Sequence, residues 1–275
     1  MIGLDDLEKI VRYTLASGYV KGDKPLSILL IADVESGKTT IIKKYCLKAD
    51  NVFYTTDATA YGIIRDTTSL KDFEEGKITH IVIPDLISCL ARRESTVKTF
   101  IAFMNALIED GYVNISTYAI PKGQIVSKKS ESIRAGLITS ITKKMFYDKR
   151  HNWEKYGFLS RVLPVSYAYS GSTQLEILDF IEKEQHLSAE LEKFKIPDGL
   201  KVKEIELPYE LSKKLEPYSI KFAQVQKLYG FRMQRQLQTL LKSIARARGK
   251  DKVDEDGFEE FRRISKFIGL DFVQV

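Results

Sequence analysis

From residue 32 to residue 40 the sequence reads Ala-Asp-Val-Glu-Ser-Gly-Lys-Thr-Thr. A glycine, a lysine and a threonine in that order suit the gripping of a polyphosphate. Backbone N–H groups of a tight loop and of a helix N-terminus face the negative charge. The lysine reaches the outer phosphates, and the threonine hydroxyl holds Mg²⁺. Gly37, Lys38 and Thr39 satisfy the end of the pattern G-x-x-x-x-G-K-[ST], which fails only at its first position, Ala32. Glu35, Ser36 and Thr40 complete the set expected around ATP and Mg²⁺. If the first position needs a positive φ, the alanine methyl costs about 1 kcal/mol and weakens the grip without removing a phosphate contact.

A hydrolytic site of this kind also needs a carboxylate on the metal side, at the tip of a neighbouring strand. His-Ile-Val-Ile-Pro-Asp-Leu (80–86) offers Asp85 there. Thr39 and Asp85 are therefore the expected Mg²⁺ ligands. The bland alternative for Asp85 is a polar residue that merely ends a strand. Many ATPases of this type place a glutamate next, to polarise the attacking water; here that residue is Leu86. Nucleotide binding and hydrolysis are thus separate expectations, with Glu35 and Asp57 as the substitute carboxylates at hand.

These residues need a strand before the loop and a helix after it. Leu26–Ile31 reads as a fully buried strand, 51–59 as a second and 78–86 as a third. Residues 4–15 read as a helix. Ser95 can cap another, with Val97, Phe100, Ile101, Met104 and Ile108 on one face and Gly111 as its stop. Residues 112–120 read as a strand or hairpin arm, and 135–142 and 161–170 as further buried strands. After Gly171 the pattern changes. Thr173 and Glu176 have capping-box spacing for a helix, 194–210 is a Pro-punctuated connector, and two amphipathic helices follow. Strands alternating with helices to about residue 170, then mainly helices, predict a parallel-sheet core (1–171) and a C-terminal helical part (172–275).

Composition sets the class. Of the 275 residues 44% are hydrophobic, enough for a sizeable core. No run of about 18 apolar residues is present, so no membrane span is expected. Cys46 and Cys89 lack metal-ligand spacing, and His80, His151 and His186 are scattered, which implies a reduced, cytoplasmic protein without a structural metal. The net charge of +6 is compatible with an acidic partner such as DNA. Some of that charge sits at 241–252, where cations at a helix C-terminus account for it equally well.

Taken together, "ADVESGKTT", "IVIPD", "LITSIT", "GFLSRVLPVSY" and 229–261 resemble, in their order, an AAA+ P-loop ATPase. The closest likeness is to the helicase-related branch that contains the minichromosome maintenance proteins. The resemblance spans roughly residues 15–265 and implies a parallel-sheet P-loop NTPase core with a helical lid. It also implies ATP and Mg²⁺ as ligands, a homo-oligomeric ring, and work on or near DNA, with a partner protein supplying target choice. It makes "LITSIT" the sensor 1 strand, with Thr139 or Thr142 as its polar residue. Arg161 would be the finger that reaches a neighbour's nucleotide, and Arg235 sensor 2, with Arg232 as rival. A planar guanidinium suits developing phosphoryl charge, although an exposed arginine more often makes only a surface salt bridge. The region 114–136 would be a pore hairpin, with Lys122, Lys128 and Lys129 at phosphates or simply in a solvated loop.

Three functions follow. The first is an oligomeric ATPase acting on DNA. The second is a non-hydrolysing nucleotide-dependent scaffold or switch, suggested by Ala32 and Leu86. The third, ranked last, is a DNA-binding module that takes no nucleotide.

Overall fold

The computed structural model describes residues 1–65, 71–73, 75–109, 135–183, 191–225 and 228–275. Six strands form one parallel sheet: β1 (Ile28–Ala32), β2 (Val52–Tyr54), β3 (His80–Ile83), β4 (Gly136–Thr142), β5 (Leu163–Ala168) and β6 (Val273–Gln274). Their order is β2-β3-β4-β1-β5-β6. The fold is α/β, with a sheet compatible with a P-loop NTPase core. β1 is apolar and buried along its whole length, as a central parallel strand covered on both faces must be.

Alternation along the strands divides the core in two. Ile28, Leu30, Ile138, Leu163, Val165 and Tyr167 face one layer, while Leu29, Ile31, Ile81, Ile83 and Ile141 face the other. The first layer holds α1 (Asp5–Ser17) and α2 (Lys38–Cys46). The second holds α3 (Ala60–Arg65), α4 (Ile87–Leu90), α5 (Glu94–Glu109) and α6 (Lys143–Lys155). The apolar spacing read in α5 does bury Phe100, Ile101, Met104 and Ile108. In α6, Phe146 and Trp153 are the anchors, seven residues apart in a polar sequence that gave no helix signal.

From Gly171 the chain is mainly helical: α7 (Gly171–Glu182), α8 (Tyr209–Lys213), α9 (Glu216–Val225), α10 (Phe231–Ala247) and α11 (Glu255–Ser265). α10 lies along α1, and Leu237, Leu240, Leu241 and Ile244 share a buried cluster with α1 and the first sheet face. The C-terminal helices and the first helix therefore complete one layer of the sheet.

One local expectation changes. The cap of α7 is Ser170, whose Oγ accepts from the Thr173 N–H at 3.1 Å. Thr173 instead donates to the Val275 carbonyl at 2.6 Å, so it does not open the helix. β6, too short to show a pattern, pairs with β5 through Tyr167 and Ala168. The expected arm at 112–120, the stop at Gly111 and the lysines 122, 128 and 129 lie outside the described residues.

Candidate nucleotide site

β1 and β5 are neighbours whose chains leave in opposite directions, β1 toward β2 and β5 toward β6. In open α/β sheets that divergence, at the carboxyl ends of the strands, is where ligands settle. Residues 33–37 occupy it. Ala32 ends β1, fully buried and in register with Thr142 of β4. The loop turns into α2 at Gly37, whose φ of 80° and ψ of 3° suit a residue without a Cβ. A Cβ there would lie 3.0 Å from Met1 Cε and 3.2 Å from the Tyr169 hydroxyl. Among the described residues no side chain caps α2, so its first-turn N–H groups keep no side-chain acceptor there. Thr39 and Thr40, half-buried, stand in that turn.

Lys38 is folded back into the loop. Its ammonium donates to the Ala32 carbonyl at 3.0 Å, to Ser36 Oγ at 3.0 Å and to the Asp33 carbonyl. Burial pushes this group below the usual lysine range, opposed by the nearby charges of Asp85 and Asp33. Ser36 Oγ in turn donates to the Asp33 carbonyl at 2.7 Å. Above the loop, the Tyr167 and Tyr169 hydroxyls each donate to the Ser36 carbonyl at 2.9 Å. Burial raises both phenol pKa values, which keeps them protonated and able to donate. The loop is thus closed around an ammonium by its own carbonyls and fixed from β5.

Ala32 carries no positive φ. Among the described non-glycine residues only Glu35 (φ 60°) and Phe272 (φ 48°) do. The entry strain expected at Ala32 is therefore absent, and the strained position is Glu35, exposed at the loop tip.

Asp85 sits past the end of β3, near enough to Lys38 for its charge to be felt. Its Oδ1 accepts from the Ile87 N–H at 3.0 Å. The Leu86 N–H donates to the Ser140 carbonyl at 2.9 Å and Ser140 Oγ to the Pro84 carbonyl at 2.6 Å, which pins this turn to β4. The Leu86 side chain is fully buried in the second layer. Position 86 thus points into the core.

Of the two threonines on β4, Thr142 stands beside the loop and caps α6, accepting from the Met145 N–H at 3.3 Å. Thr139 lies within the sheet, wholly buried, its hydroxyl without a partner among the described residues. Asp57 follows the edge strand β2 and is paired with Arg92.

The arginines are elsewhere. Arg161 precedes β5 and donates to the Gly157 carbonyl at 2.7 Å. Arg161, Arg232 and Arg235 line a cavity of about 420 Å³ with Lys24, Leu26 and Glu109, at the amino ends of β1 and β5. Five residues of β1, about 16 Å at strand rise, separate that end of the sheet from the loop. Burial works against the Glu109 charge, yet Lys24 at 2.9 Å, then Arg232 and Arg161, hold its carboxyl below the usual range. Arg235 is exposed and makes no ion pair or hydrogen bond with the described residues.

No family model matches the chain, and no curated protein is similar to it in sequence.

Ala32, Glu35, Ser36, Gly37, Lys38, Thr39, Thr40, Asp85 and Thr142 thus gather at one edge of the sheet, while Arg161 and Arg235 gather at the other. Among the described residues no three His, Cys, Asp or Glu side chains are placed to hold a metal. Mg²⁺ needs only one or two protein oxygens beside phosphate and water. The hydroxyl of Thr39 and the carboxylate of Asp85 are hard donors of that kind. Sequence reasoning missed Tyr167 and Tyr169; their signal was the i, i+2 spacing in Ser-Tyr-Ala-Tyr, which places both on one strand face.

Proposed function

We propose that this chain binds ATP·Mg²⁺ at the loop 32–40. The observation that carries the reading is the buried Lys38 ammonium, held at the start of an uncapped helix on the carboxyl edge of a parallel sheet. A triphosphate offers that ammonium stronger, charged acceptors than the carbonyls it now holds, and the α2 amides face the same charge. Mg²⁺, held by Thr39 and Asp85, would offset the phosphate charge. Calorimetry of ATP·Mg²⁺ on the wild type and Lys38→Ala tests this: the substitution should abolish a heat that the wild type shows.

Between turnover and switching, Leu86 favours the switch. The neighbour of Asp85 points into the core, so no water-polarising group acts from that position. Arg161 and Arg235, at the far edge, serve a triphosphate only on a second copy of the chain. Nucleotide would then govern association, with turnover slow or partner-activated. Phosphate release, with and without single-stranded DNA, decides it: turnover lost in Lys38→Ala supports an ATPase, and tight binding without turnover supports the switch. The DNA part of the reading rests on the net charge and the family resemblance alone. The scale of any assembly is read by light scattering with and without ATP·Mg²⁺.

A further inference from the structure

The Ser36 carbonyl stands apart from the other acceptors of the phosphate loop. Lys38 takes the Ala32 and Asp33 carbonyls and the Ser36 hydroxyl, and leaves the Ser36 carbonyl to β5. There it accepts from the hydroxyls of Tyr167 and Tyr169, each at 2.9 Å. A carbonyl oxygen has two lone pairs, so these two donors fill it. Their rings stand edge to face, 6.3 Å apart and 70° from parallel, with Tyr167 wholly buried. A Cβ on Gly37 would lie 3.2 Å from the Tyr169 hydroxyl, so this donor sits directly against the peptide that joins Ser36 to Gly37.

That peptide is planar, and in a trans peptide the C=O and the N–H point in opposite directions. Holding the carbonyl toward β5 therefore turns the Gly37 N–H away from the tyrosines. This N–H has no acceptor among the described residues. Nothing in the glycine itself sets its direction. Without a Cβ, Gly37 accepts φ of either sign, so turning this one peptide over is cheap. The flipped peptide would present an oxygen where the N–H now lies, and an oxygen repels phosphate.

We infer that Tyr167 and Tyr169 are positioning residues for phosphate: by holding the Ser36 carbonyl they keep the Gly37 N–H, with the first amides of α2, turned toward a bound anion. This role presupposes the proposed nucleotide grip of the loop 32–40. The two phenols act through the peptide and touch no phosphate themselves. If the same bonds served only to satisfy two packed hydroxyls, their loss would change stability and leave anion affinity as it was.

Tyr167→Phe, Tyr169→Phe and the double variant remove the hydroxyls and keep the rings. Calorimetry with ATP·Mg²⁺ and with inorganic tripolyphosphate measures the grip, and melting curves measure stability. Each single variant should bind both ligands more weakly, and the double variant about tenfold more weakly, as for one donor to an anion lost. A spectroscopic readout separates positioning from packing. Labelling serine at the carbonyl carbon and glycine at nitrogen selects the Ser-Gly amides, those of Gly18, Gly37 and Gly171. Tripolyphosphate should move the Gly37 amide proton downfield in the wild type and leave it nearly unmoved in the double variant, with Gly18 as internal reference. Where phenylalanine at the buried position 167 disturbs folding, Tyr169→Phe alone decides by the same two measurements. Wild-type affinity in the phenylalanine variants would overturn the positioning role, whatever happens to the melting temperature. So would weaker binding with the Gly37 shift intact. A wild type that binds tripolyphosphate but not ATP·Mg²⁺, with the expected loss in the variants, would sink the nucleotide reading and keep the clamp. A wild type that binds neither overturns both.

Discussion

Lys38 and Ala32 carry the site's chemistry in opposite senses, one supplying charge and the other only a well-packed strand end. Ala32 is buried and in register with Thr142, with ordinary strand geometry. Ala32→Gly should therefore cost about 1 kcal/mol of stability through lost packing and added chain freedom, with nucleotide affinity unchanged. Denaturant melts and ATP calorimetry on the same variant measure the two effects separately. The strain moves to Glu35, and Glu35→Gly should raise stability by up to about 1 kcal/mol, read as a higher denaturation midpoint at constant slope. Another buried residue, His80, gives a pH signature. It is wholly buried in β3, with Nδ1 2.9 Å from Thr79 Oγ1 and Nε2 3.5 Å from Ser17 Oγ. Burial pushes its pKa down to about 3. The unfolded chain, with a pKa of about 6.5, takes up the proton first, so stability present above that pH falls as the solution is acidified. At pH 5 the loss is about 2 kcal/mol. His80→Gln should remove that component, so the stability gap between wild type and variant should shrink by that amount from pH 7.5 to 5.

At the scale of elements, β1, the loop and α2 were legible because a continuous apolar run followed by Gly-Lys-Thr admits few local structures. α5, α10 and α11 were legible for the same kind of reason, since each keeps an apolar face of helical period. α6 and β6 were not: one is polar apart from its anchors, and the other is two residues whose partner comes from β5. The carboxylate and the loop could be brought together from motif order alone, whereas the choice between Thr139 and Thr142 needed the strand register. The tyrosine clamp could not, because both donors reach the Ser36 carbonyl from residues more than a hundred positions away. One element contact is open to direct test. Arg246 on α10 is fully buried and donates to the Gly199 and Lys201 carbonyls at 2.8 and 2.7 Å while pairing with Asp198. Arg246→Met should strand those carbonyls and cost roughly 2–4 kcal/mol in equilibrium unfolding, with Arg246→Lys recovering only part because it lacks the fork.

For the whole molecule, the sheet keeps two chemistries apart. Asp33 and Asp85 stand near a buried lysine at one edge, while Lys24, Arg161, Arg232 and Arg235 collect at the other. Among the described residues no helix is long and apolar enough to cross a membrane. On the proposed nucleotide reading, such a division suits a site completed between copies. Arg161→Ala should accordingly leave ATP affinity within about twofold of wild type while reducing any turnover that depends on association. An equal loss of affinity in the monomer would place that arginine at its own loop and contradict the two-edge account. The most direct measurement is isothermal titration of ATP·Mg²⁺ into the purified chain. The account predicts saturable heat from one site per chain, abolished in Lys38→Ala and kept in Ala32→Gly; no heat with the wild type, or equal heat with Lys38→Ala, would contradict it.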